Sequence, residues 1–220
     1  MSNKLQPIDT LQDIKQMMER SSRFISLSGL SGVAAGCCAL VGAWLAYDVI
    51  AQSEYSFSER SQHKDYIGID ERGVTSLTDF MGNRLFLIAV ITFIAAFVLA
   101  FMFTYIRSRK NNIPIWGHTS KRLMLNVSLP MIVGGIYLWK MIQSGIFGLI
   151  APGCLIFYGL ALINASKYTL KEIRYLGIGQ VILGVINLWF IGYGIYFWAA
   201  GFGVLHIIYG AVMWWRYEKA

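Results

Sequence analysis

The chain reads as an all-α integral membrane protein of six transmembrane helices arranged as three hairpins, with an amphipathic N-terminal segment and both termini on the cytoplasmic side. Three observations predict this. Of 220 residues, 56% are hydrophobic and 14% charged, where a soluble domain carries about 25% charged residues. The charges are clustered, and the apolar stretches between clusters are long enough to cross roughly 30 Å of hydrocarbon at about 1.5 Å per helical residue. The lysines and arginines concentrate in alternate connections, as the positive-inside rule requires.

Residues 1–23 form the cytoplasmic segment. Leu11, Ile14 and Met18 fall at helical spacing, with Lys15, Glu19 and Arg20 on the other side, and Asp9 or Thr10 can cap the start. This segment is too polar, and the apolar run after it too long, for a cleavable signal. Residues 24–220 form a single six-span domain. The first span, from about Phe24 to Tyr47, has no charge between Arg23 and Asp48. Its Gly32 and Gly36 form a GxxxG pair that admits a second helix closely. The outer loop, 48–84, is acidic on balance, and Gly68, Gly73 and Gly82 argue against one long helix there.

The second span covers about Leu85 to Ile106 and ends in Arg107, Arg109 and Lys110. The connection that follows adds Lys121 and Arg122 and holds no acid, marking the cytoplasmic side. The third span, about Leu123 to Gln143, turns at Ser144-Gly145 into the fourth, about Ile146 to Ala165. Between Arg174 and Arg216 there is no charge at all. That stretch suits two spans with a turn at Gly192-Tyr193-Gly194. With both termini inside, 14 of the 19 basic residues are cytoplasmic. This distribution places the protein in the plasma (bacterial inner) membrane with its lysines and arginines near anionic lipid headgroups, and it accounts for the net charge of +7 without nucleic acid.

Two stretches resemble each other: 132–146, IVGGIYLWKMIQSGI, and 182–195, ILGVINLWFIGYGI. Trp139 aligns with Trp189, Gly134 with Gly184, and further on Tyr158-Gly159 with Tyr209-Gly210. The segments 123–165 and 174–216 are therefore expected to be repeated hairpins related by an axis along the membrane normal.

Polar residues inside spans are the candidates for chemistry. Gly177, Gln180, Gly184 and Asn187 share one face of span five. Ala199, Gly203, His206 and Gly210 share one face of span six, and Asn126, Pro130, Gly134 and Tyr137 one face of span three. Gln180, Asn187, His206, Tyr137 and Tyr209 are the candidate ligand-binding residues. Gly32, Gly36, Gly134, Gly184, Gly203 and Gly210 are the candidate packing positions. No metal site or cofactor is expected. A bis-histidine haem needs a second membrane histidine, and His63 and His118 lie in loops. Cys37, Cys38 and Cys154 form no disulfide or metal framework.

Gly29-Leu30-Ser31-Gly32 matches the GxSG serine motif of rhomboid intramembrane proteases over four residues. Span two offers only Thr92 and Thr104 as polar partners for an oxyanion, so no protease, and no enzyme of another kind, is expected. The sequence points to a protein that binds or moves a small neutral or apolar solute, or a lipid, through a polar, glycine-rich midplane cavity. Its partners are then membrane lipids and other transmembrane helices, in a homo- or hetero-oligomer. A non-catalytic accessory or sensor subunit of a membrane complex is the alternative.

Overall fold

A computed structural model describes residues 28–61, 84–110 and 118–218. The amphipathic segment expected at 1–23, much of the outer loop and residues 111–117 of the 107–122 connection lie outside these residues. All regular structure among the described residues is helical. α1 spans Gly29–Ser61, α2 Arg84–Lys110, α3 His118–Gln143, α4 Ile150–Ala165 and α5 Glu172–Trp189. α6 spans Gly194–Tyr217 and is interrupted by a π-helical stretch at Ala199–Leu205.

Five of these segments are long and apolar enough to cross a membrane: Gly29–Gln52, Arg84–Lys110, Thr119–Gln143, Phe147–Ala165 and Gly194–Tyr217. The chain is thus a multi-pass membrane protein by the length and composition of its helices. The exception is α5, whose first turn carries Glu172 and Arg174 and whose interior carries Gln180 and Asn187. One face of it is enclosed: Ile173, Leu176, Gly177, Gln180, Gly184 and Asn187 are all buried by neighbouring helices.

Two boundaries differ from the sequence reading. α1 runs on to Ser61, well past Tyr47. No glycine or proline stands between Asp48 and Ser61 to stop it. The start of the fourth span is a 3-10 turn, Phe147–Leu149, ahead of α4. Pro152 then sits in the first turn of α4, where a missing N–H leaves no bond unmade. The two short turns fall where expected, and each uses a glycine at positive φ: Gly145 at 70° and Gly192 at 103°.

α6 is the centre of the bundle. α1 packs along one side of it, and α2 packs on the outside of α1. α4 and α5 lie on the other side, the most extensively packed pair, with α3 on the outside of α4. Glycines set both close approaches. A methyl group added at Gly36 would lie 2.7 Å from Gly203 O, and one at Gly210 would lie 2.6 Å from Gly29 O. Between α4 and α5, a methyl at Gly177 would lie 2.8 Å from Gly159 O, and one at Gly184 3.0 Å from Ile156 N. Backbones meet backbones at these points, the packing available to helices that gain nothing from burying apolar area out of lipid.

The two helix pairs read as repeats pack differently. α3 lies along α4, whereas α5 touches α6 only lightly and gives its main face to α4. The small face expected on α3 is correspondingly less enclosed. Gly134 is buried against Phe157, while Asn126, Pro130 and Tyr137 are half-buried.

One end of the bundle is tied by charge. The Glu218 carboxylate accepts from the Gly29 backbone N–H at 2.5 Å and from Ser28 Oγ at 3.2 Å, and it pairs with Arg107 of α2. An anion at the N-terminus of a helix answers both the unpaired amides and the helix dipole. At the same end, Arg216 Nη1 and the Tyr217 hydroxyl both donate to Glu172 Oε1, at 3.0 and 2.9 Å.

Candidate functional site

The polar residues of α5 and α6 converge on the π-helical stretch. Gln180 is 0% exposed, Asn187 1% and His206 7%. Gln180 Nε2 donates to Gly201 O at 2.8 Å, and His206 Nδ1 lies 3.0 Å from the same carbonyl. A π turn widens the helix by one residue, and such turns gather at functional sites. Two glycines two positions apart serve opposite sides of α6, as helical rotation dictates. Gly201 faces Leu155 and Gln180, and Gly203 faces Leu40 of α1. A methyl at Gly201 would stand 2.6 Å from Gln180 Oε1, so only glycine lets this amide reach the backbone. The Oε1 atom has no hydrogen-bond partner. Turning the amide over would set Oε1 against Gly201 O and lose the one strong bond it makes.

The other imidazole nitrogen, His206 Nε2, lies 2.9 Å from the hydroxyl of Tyr158 on α4. Tyr158 was not among the residues singled out from the sequence. Its aligned counterpart Tyr209 was, and Tyr209 turns instead toward α1, with Cδ1 3.3 Å from where a methyl at Gly32 would stand. Tyr137 packs on Phe157 with ring centroids 5.4 Å apart. Asn187 lies about 10 Å along α5 from Gln180 at 1.5 Å per residue, and its Nδ2 donates to Phe190 O at 3.1 Å. Of the five candidate ligand residues, Gln180 and His206 therefore meet each other, and Asn187, Tyr137 and Tyr209 sit elsewhere.

The cavity that reaches this cluster is a cleft of about 400 Å³ between α2 and α3. No extensive contact joins those two helices. α1 contributes Ala35 and Ala39, and α2 contributes Thr92, Phe93, Ala96, Phe97 and Ala100. Across from them stand Met131, Gly134, Gly135 and Leu138 of α3, with Cys154, Phe157 and Tyr158 of α4. Trp198, Phe202 and His206 of α6 close the back. The cleft touches His206 and Tyr158 but not Gln180. A second cavity of about 390 Å³ lies toward the Gly192–Gly194 turn, and Thr92 and Trp198 belong to both. The aromatic rings along the back are in contact: Trp198 and Phe202 have centroids 4.6 Å apart, and Tyr158 and Phe202 5.2 Å.

The GxSG segment opens α1. Ser31 Oγ donates to Ser28 O at 2.5 Å, and the ring nitrogens of His206 are directed at Tyr158 and Gly201. Among the described residues, no group of three or more His, Cys, Asp or Glu could hold a metal ion. No protein family, curated protein or solved structure matches this chain.

Proposed function

We propose that this protein is a non-catalytic, multi-pass inner-membrane protein that binds, and by doing so carries or senses, an apolar small molecule or lipid in the cleft between α2 and α3. The observation that carries this reading is the cleft itself. Its volume falls in the range of small-molecule sites, about 300–1,000 Å³. Its walls are alanine, glycine, aliphatic and aromatic groups, with a buried histidine paired to a half-buried tyrosine at the back. A ligand could enter sideways from the bilayer, since the cleft lies between two outer helices that pack only on their inner neighbours. The basic residues of 107–122 and 166–174 support an orientation with both termini and these connections inside and 48–84 outside.

Mass spectrometry of lipids retained through purification tests the reading. The wild-type protein should retain an apolar ligand, and Ala96→Trp, which fills the cleft from α2, should lose it while keeping the fold. Retention of the same molecules by both proteins would refute the assignment.

A second reading, an accessory subunit, is favoured by α2. It is the most apolar of the membrane-length helices and packs on α1 alone to any extent. Phe93, Phe97, Phe101 and Tyr105 form a ladder of stacked rings along it, each centroid 6.4 Å from the next. A partner helix laid against this ladder would cover it. Crosslinking from position 101 in membranes separates the two: protein adducts support the subunit, lipid adducts alone support the binding protein.

A further inference from the structure

The hydrogen bonds around His206 give the cleft a direction. Gly201 O can only accept, so the imidazole nitrogen 3.0 Å from it, Nδ1, carries a proton. The alternative, in which Nδ1 accepts from Gln180 Nε2, relies on a longer separation of 3.4 Å and sets two acceptors against each other at the shorter one. Among the described residues no carboxylate bonds to the ring, so the imidazole is neutral among apolar walls and its Nε2 is an acceptor. The Tyr158 hydroxyl at 2.9 Å then spends its only proton on Nε2. What this pair has left to offer a ligand is the lone pairs of the phenol oxygen. Thr92 and Trp198 also line the cleft, but Trp198 is eight residues from His206 on α6, about 12 Å at 1.5 Å per residue.

We infer that the cleft takes a long-chain molecule bearing a hydroxyl donor, an aliphatic alcohol or an acylglycerol-type lipid, in preference to one bearing only carbonyl or ether oxygens. Its hydroxyl donates to Tyr158 Oη, and its chain runs out past Ala96, Phe97 and Ala100 between α2 and α3. The inference rests on the binding role proposed above and adds the chemistry of the ligand's polar end. A ketone or ether meets an acceptor with an acceptor and leaves both unpaired, which is how a polar site rejects an analogue lacking its partner group.

Quenching of Trp198 fluorescence tests this in detergent-solubilised full-length protein. The probes are a dibrominated octadecanol and its methyl ether, and Trp198→Phe identifies the Trp198 contribution among the seven tryptophans. The alcohol should quench that contribution at roughly three- to tenfold lower concentration than the ether, the range one net hydrogen bond gives. In His206→Leu the Tyr158 proton is released, and the preference should shift toward the ether. In Tyr158→Phe, His206 Nε2 becomes the exposed acceptor, and the preference for the alcohol should persist. This second variant serves if His206→Leu does not fold. Equal potency of the two probes in the wild type, or greater potency of the ether, overturns the inference and leaves the cleft as an apolar site. Absence of Trp198-dependent quenching by either probe overturns the binding role as well.

Discussion

Gly134 and Gly135 are neighbours in α3 under opposite constraints. A methyl at Gly134 would lie 2.6 Å from both Cβ and Cγ of Phe157, and one at Gly135 would meet nothing within 4 Å. Alanine is favoured over glycine in a helix interior by about 1 kcal/mol. Gly135→Ala should therefore hold or raise the thermal unfolding temperature in detergent. Gly134→Ala should lower it, because overpacking of this kind costs about 1–3 kcal/mol and Phe157 must move into the cleft. A matched fall in both variants would mean that α3 does not rest on Phe157. Residue by residue, the sequence was most readable where one helix governs the outcome. Gln180, Gly184 and Asn187 repeat at helical spacing, and α5 buries that face. Tyr158 was not readable, because its significance lies in a histidine 48 positions away on another helix. Gly201 was hidden for a related reason: its role depends on Gln180, 21 positions away on another helix.

Among the elements, the seam between α1 and α6 sets the bundle. Gly32 and Gly36 answer Gly210 and Gly203, and backbone atoms stand where side chains would go. Gly210→Val should separate the two helices and destabilise the protein by about 3 kcal/mol or more, since its Cβ meets Val33 N at 2.5 Å and Gly29 O at 2.6 Å. Unchanged detergent resistance in that variant would argue against the seam. The GxxxG pair was legible because small residues one turn apart are a local pattern. Which helix it would receive was not, since four other spans also carry glycines. The cleft was equally hidden. It exists because α2 and α3 fail to pack on each other, and a failure to meet leaves no mark on either sequence. The resemblance of 132–146 to 182–195 describes similar strings whose helices have found different neighbours.

The whole molecule is closed by its ends. Glu218 holds the first residues of α1 and is itself held by Arg107. Glu218→Gln keeps the shape and removes the charge, and it should cost about 1–3 kcal/mol at this half-enclosed position, with one guanidinium left unpaired. Thermal unfolding compared with Arg107→Gln/Glu218→Gln checks this, as the double change should cost less than the sum of its parts. For orientation, a cysteine at position 118, with Cys37, Cys38 and Cys154 replaced, should react with an impermeant thiol reagent only from the cytoplasmic side. Labelling from outside would reverse the proposed topology. The glycine seam also has a meaning in time. Gly29 and Glu218 stand 189 residues apart in the chain, and synthesis proceeds at about 5–20 residues per second, so the first helix waits roughly 10–40 s for its partner to be made. Throughout that interval its bare glycine stripe faces the bilayer or whatever helix is nearest. Nascent chains halted before residue 194 should therefore be the most prone to capture by insertion chaperones and to mispairing, and completing the last helix should release them.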